Sequence, residues 1–181
     1  MIDNTDSPSI ELIEFNTISC GLSILGRKVC ALHQHAFNCF PSLFPNDHPG
    51  HISSEGEIAP GDALYFAFSE YGNAEACVLF IGQENEKNEG DRYGVRLDLF
   101  ERHHIFAQVA SLAQVSEHGK LNEDSGVLYY KGKEVGLVYY RAGYTFQEYG
   151  EKEWKAREMI EYSKAVKCPN ILLHLLTLKR F

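Results

Sequence analysis

The chain has 181 residues, 44% of them hydrophobic, enough for one substantial core and a small second layer. Seventeen basic against twenty-five acidic residues leave a net charge of -8, which argues against nucleic acid or an acidic membrane surface as partner. No apolar stretch reaches the roughly 18 residues needed to span a bilayer, and the polar start Met1-Ile2-Asp3-Asn4-Thr5-Asp6 does not read as a signal peptide.

Ile10 to Asn16 alternates apolar and acidic residues and predicts a half-buried strand, with Glu14 and Asn16 on one face. After Gly21, apolar residues at Leu22, Leu25, Val29, Leu32, Ala36 and Phe40 step by three and four and predict a helix. Pro41, Pro45, Pro49 and Gly50 stop it and open a long loop. Pro60 is placed to start a second helix, which ends near Gly72. The continuous apolar run from Ala76 to Ile81 fits a central strand covered on both faces, with the polar loop Gln83–Asp91 at its carboxyl end.

A helix is expected from Tyr93 to Arg102 and a strand from Ile105 to Val109. A hairpin follows, Val127–Tyr130 and Val135–Tyr140, around the turn Lys131-Gly132-Lys133. Glu151 to Val166 predicts a helix with Trp154, Ile160 and Val166 inside. Pro169 opens a final apolar helix with Leu172, Leu173, Leu175, Leu176 and Leu178, a face that should pack on something. The alternation of strands and helices argues for a parallel α/β layer.

The chemistry legible from residue types is limited. Glu14 and Asn16, two residues apart, offer two oxygen ligands to a hard cation such as magnesium, or are a solvated strand edge. Arg141, Gly143 and Tyr144 follow a strand, where a guanidinium fork and a hydroxyl suit a carboxylate; a structural acid is the competing partner for Arg141. The Gln83–Asp91 loop is a ligand lid or a solvated turn. His33 and His35 do not share a helix face, which argues against a shared metal, and His103-His104 fare no better. Five cysteines, Cys20, Cys30, Cys39, Cys77 and Cys168, are widely spaced and fit free thiols in a reducing, cytoplasmic setting. No nucleophile triad or phosphate-binding glycine loop is legible.

Several runs, in order, resemble the eukaryotic-type glutathione synthetases: Glu14-Phe15-Asn16-Thr17-Ile18-Ser19, Gln83-Glu84-Asn85-Glu86-Lys87-Asn88, Tyr139-Tyr140-Arg141-Ala142-Gly143-Tyr144, Trp154-x-Ala156-Arg157 and Lys167-Cys168-Pro169. The resemblance implies an α/β, three-layer Rossmann-like substrate-binding domain, with a mainly parallel sheet and a late β-hairpin, plus flanking segments of an ATP-grasp enzyme. Residues 1–58 would belong to the ATP-grasp or N-terminal part, 59–168 to the substrate domain, and 169–181 to the start of the return.

The implied reaction is ATP- and magnesium-dependent ligation of γ-glutamylcysteine with glycine to give glutathione, in a cytoplasmic homodimer. The implied substrate contacts are Ile18, Ser19, Cys20, Gly21, Glu86, Lys87, Asn88, Arg92, Arg141, Ala142, Gly143 and Tyr144. Glu14 and Lys179 are implied at ATP, and Glu14 with Asn16 at Mg2+. The chain departs from the family pattern at Gly21, which stands for a serine, at Arg92, which stands for a glutamine, and at Ala142, which stands for an acid. The likeness begins after the family's N-terminal helices and stops before its glycine-rich loop, so this chain alone is expected to be inactive. A stand-alone peptide-binding or regulatory domain of the same fold, and a ligase using another amine, remain open.

Overall fold

An eight-residue strand, β5 (Lys133–Tyr140), organises the sheet. Val135, Leu137, Val138 and Tyr140 on it are completely buried, as the β-branched and aromatic residues of a strand covered on both faces should be. In the computed structural model, which describes residues 13, 15–18, 20–44 and 58–176, β1 (Cys77–Ile81) lies parallel on one edge of β5. β2 (Ala107–Ala110) lies parallel on the far side of β1.

The other edge of β5 is shared by two partners. Its first two residues pair antiparallel with β4 (Val127–Tyr130), which in turn pairs antiparallel with β3 (Gly119–Asn122). Leu137, Val138 and Tyr139 pair parallel with β6 (Val166–Cys168). The six strands form one mixed sheet in the order β2-β1-β5-β4-β3, with β6 beside β5. Lys131 and Gly132 both take positive φ, 48° and 78°, which is the backbone a two-residue hairpin turn requires.

Alternation along β1 divides the core in two. Cys77, Leu79 and Ile81 point to one face, where they pack with Leu112 and Val115 of α4 (Leu112–His118) and Ala156 and Ile160 of α5 (Glu151–Tyr162). Val78 and Phe80 point to the other, against Leu64 and Phe68 of α2 (Pro60–Ser69) and Val95 and Leu99 of α3 (Glu89–His103). At the β1–β5 register shift Gly136 is the extra residue. A Cβ on it would stand 2.8 Å from Phe68 and 2.9 Å from Tyr71, so the close packing of α2 demands glycine there.

Several sequence expectations are corrected. The Glu151 helix ends at Tyr162, with Ser163 in extended conformation, and Val166 belongs instead to β6. Trp154 is not inside; it is 52% exposed and stacks on Tyr149 at a centroid distance of 4.3 Å. The described part of the predicted first strand, Ile13, Phe15 and Asn16, has no strand conformation, and Ile13 and Phe15 are exposed. The predicted helix after Gly21 exists as α1 (Ser23–Cys39), but Leu22, Leu25, Val29, Leu32 and Phe40 of its stripe are exposed. The last helix spans Ile171–Leu176 as α6, and its leucines are likewise exposed. Among the described residues no helix is long and apolar enough to cross a membrane.

Candidate functional site

The helix after β1 covers one face of the sheet, whereas the helices after β2 and β5 cover the other. Segments leaving β1 and its two neighbours therefore diverge, which opens crevices beyond the carboxyl ends of the strands, the usual ligand position in open α/β sheets. The crevice toward β5 holds about 260 Å³ between Gly82, Gln83, Ala142, Gly143 and Glu148. The one toward β2 holds about 330 Å³ between Gly82, Glu84, Arg92, Ser111 and Gln114.

Arg141 is the first residue beyond β5, and its backbone N–H still donates to the Ile81 carbonyl. Its side chain turns inward and is only 2% exposed. Nη1 donates to Asp91 Oδ2 at 3.0 Å and to the Cys20 carbonyl at 3.3 Å. Burial depresses the guanidinium pKa, but bonds to Tyr139 and Asp91 raise it above its usual value.

Asp91 is completely buried. Besides Arg141 it accepts from the backbone N–H groups of Leu22, Ile24 and Leu25, at 2.9, 3.0 and 3.3 Å. A carboxylate on α3 thus caps α1 from outside, satisfying N–H groups that the helix itself cannot pair. The cap fixes the position of the preceding residues. A Cβ on Gly21 would lie 2.9 Å from Asn88 Nδ2 and 3.4 Å from Arg141 Nη2. Cys20, Gly21, Asn88 and Arg141, distant in sequence, are brought together around Asp91.

The remaining predicted residues are spread around this cluster. Glu86 Oε1 accepts from the Asn88 N–H at 2.9 Å and shapes its own loop, while Lys87 is exposed. Arg92 sits one helical turn beyond Asn88 and binds Glu89 at 2.6 Å. Ile18 and Ala142 pack in the core, so their side chains face apolar neighbours. Gly143 (φ 81°) and Tyr144 lie on the wall of a separate cleft of about 850 Å³, shared with Phe146, Trp154, Arg157 and His174. Tyr144 therefore faces this cleft, whereas Arg141 is buried against Asp91. Ser19, Glu14 and Lys179 lie outside the described residues.

Two residues that organise the site had no role of their own assigned from sequence. One is Asp91, an acid in the first turn of α3. The other is Glu148, whose carboxylate accepts from Gln83 Nε2, from the Gly143, Tyr144 and Thr145 N–H groups and from the Thr145 hydroxyl. Its only sequence signal is the pairing of Thr145 with Glu148 at capping-box spacing.

Of the two implied magnesium ligands only Asn16 is described; it is exposed, and its carbonyl accepts from the Cys20 thiol at 2.7 Å. Among the described residues no group of three or more His, Cys, Asp or Glu side chains comes together to hold a metal ion. The described donors therefore do not by themselves make a magnesium site.

An α/β sheet with crevices beyond its strand ends and a buried arginine–aspartate pair where β5 ends is an architecture in which open α/β domains commonly hold small molecules. Residues 76–176 match the model of eukaryotic glutathione synthase, and the chain belongs to that family. It is 38% identical over 176 residues to the chloroplastic glutathione synthetase of Arabidopsis thaliana, covering 97% of this chain and 32% of that protein. It is 34% identical over 177 residues to human glutathione synthetase, covering 96% and 36% respectively. A glutathione synthetase-like effector from Globodera pallida, solved in apo form, has the same fold with a TM-score of 0.70 at 17% identity, over 96% of this chain and 39% of that one. The chain spans about a third of the length of the curated relatives it matches.

Proposed function

We propose that this chain carries the dipeptide-binding section of an ATP- and magnesium-dependent ligase of glutathione synthesis, one that joins γ-glutamylcysteine to glycine. The observation that carries the reading is the convergence of Cys20, Gly21, Asn88 and Arg141 around Asp91, where the chain leaves β5. Asn88 supplies an amide that both donates and accepts, which suits the amino-acid end of a dipeptide. Arg141 supplies positive charge at the base of the cluster and fixes the Cys20 carbonyl rather than serving as a fork reserved for ligand. Glu86 orients Asn88 by holding its backbone.

ATP and magnesium belong to the reading through Glu14, Asn16 and Lys179 and supply activation of the dipeptide carboxylate when bound. What the chain's own described residues contribute is binding and orientation of the dipeptide. The expected setting is a cytoplasmic homodimer.

The test is calorimetric titration of the purified chain with γ-glutamylcysteine. Asn88→Ala removes both hydrogen-bonding groups without touching the Asp91 pair and is expected to weaken binding about tenfold. Unchanged affinity in that variant would remove the dipeptide from this cluster.

A further inference from the structure

The crevice between the ends of β1 and β2 carries a cation that the Arg141 cluster does not use. Arg92 projects from the first turn of α3, and its side chain is only 11% exposed. Nη2 binds the Glu89 carboxylate, which is itself 73% exposed and well hydrated. Nη1 reaches over the carboxyl end of β1, so near Gly82 that a Cβ there would stand 2.4 Å from it. Glycine at position 82 thus makes room for the guanidinium. Nη1 has no protein acceptor among the described residues.

The opposite wall supplies donors. Ser111 Oγ accepts from the Gln114 N–H at 3.2 Å, a bond that leaves its own proton unused. Gln114 Oε1 accepts from the Ser111 N–H at 3.0 Å, which orients its Nε2 amine without occupying it. Glu84 is the acid on the rim, and it is exposed. A desolvated guanidinium facing a hydroxyl and an amide across about 330 Å³ is the chemistry of a carboxylate subsite. Arg92 also lies one turn from Asn88, its backbone N–H donating to the Asn88 carbonyl, which makes the subsite a neighbour of the proposed dipeptide cluster along the chain.

We propose that this crevice is an anion subsite that selects a γ-glutamyl dipeptide whose second residue is acidic. The proposal rests on the dipeptide reading above and goes past it to the side chain that the site prefers. A thiol offers Arg92 nothing in exchange for the water it gives up, whereas a side-chain carboxylate forms a charge-assisted bond with Nη1.

Titration of the purified chain with γ-glutamylaspartate and with γ-glutamylcysteine, in the wild type and in Arg92→Gln, tests it. The wild type is expected to bind γ-glutamylaspartate at least about tenfold more tightly than γ-glutamylcysteine, and Arg92→Gln to lose that preference. Equal affinities in the wild type overturn the proposal, as does a preference that survives Arg92→Gln, or binding that appears only in that variant. If neither dipeptide binds either chain, the dipeptide reading fails and the subsite is judged by itself. Succinate is then titrated against the NMR signal of the Arg92 Nε–H, identified by its loss in Arg92→Gln. A saturable shift that chloride does not produce at equal ionic strength supports the anion subsite; no shift overturns it.

Discussion

Asp91→Ala is expected to detach the start of α1 and to lower the stability of the domain by about 3–5 kcal/mol. The magnitude follows from what one carboxylate holds. Its removal breaks the 3.0 Å ion pair with the Arg141 guanidinium, 2% exposed, and takes the acceptor away from the N–H groups of Leu22, Ile24 and Leu25. Stranding a buried charge costs more than the net worth of the pair, because the partner cannot return to water. Against a typical total stability of about 5–15 kcal/mol, such a loss leaves little in reserve. Urea denaturation gives the change in stability, and amide hydrogen exchange locates it. Exchange should rise first at Ile24 and Leu25. Asp91→Ala combined with Arg141→Met should recover part of the loss, since the second change removes the stranded charge. A loss below about 1 kcal/mol for Asp91→Ala would mean that water replaces the carboxylate and that the buried hub is not what positions Cys20 and Gly21.

The sheet was legible where the signals were local. The apolar run from Ala76 to Ile81, the Lys131-Gly132 turn and Pro60 at a helix start each describe their own environment, and each has its counterpart in β1, the hairpin and α2. Two short elements were hidden. β6 is three residues long, and its partner is Leu137 to Tyr139, nearly thirty positions away. α4 is a seven-residue helix whose strongest signal is the Ser111–Gln114 cap rather than periodicity. Trp154 misled because an aromatic residue at helical spacing normally faces a core, yet here its partner is the ring of Tyr149 at the surface. The exposed stripe of α1 illustrates the same limit, since periodicity reveals which face is apolar but not what covers it.

The candidate site was legible in its residue types and not in its pairings. The choice between a substrate carboxylate and a structural acid at Arg141 could not be made from spacing. It is made by Asp91, fifty positions earlier, which lies 3.0 Å away. Arg141 and Tyr144 were expected to act together on the strength of three residues of separation. Positive φ at Gly143 turns the chain between them, so one side chain enters the Asp91 cluster and the other faces the aromatic cleft. The Gly21 departure also acquires a physical meaning, because its missing side chain leaves room for Asn88 Nδ2.

Glu148 should make the wall of that cleft sensitive to acid. Burial pushes its carboxyl pKa up, but bonds from Gln83, Thr145 and Gly143 outweigh burial and hold it below its ordinary value of 4.5. A folded pKa that is depressed contributes stability that is present above the unfolded value and is lost as pH falls through the folded one. The segment from Gly143 to Tyr149 is therefore expected to be fully tied at neutral pH and to loosen below pH 4.5, as the carboxylate gains its proton. Glu148→Gln imposes the change at neutral pH. The amide retains one acceptor oxygen but turns an NH2 group toward N–H donors, and the cost should be about 2–3 kcal/mol, felt locally. Amide exchange at Gly143, Tyr144 and Thr145 should quicken in the variant while β1 and β5 stay protected. Tyr149, whose hydroxyl donates to the Gly143 carbonyl at 2.8 Å, should follow them, and its fluorescence or ring NMR signals report the opening. The decisive comparison is the pH dependence itself. The wild type should lose loop protection as pH falls from 7 to well below 4.5, through the depressed folded value, and Glu148→Gln, with no proton to take up there, should lose none further. Parallel curves in the two chains would assign the acid sensitivity to another carboxylate and leave Glu148 as a cap with no role in how the cleft opens.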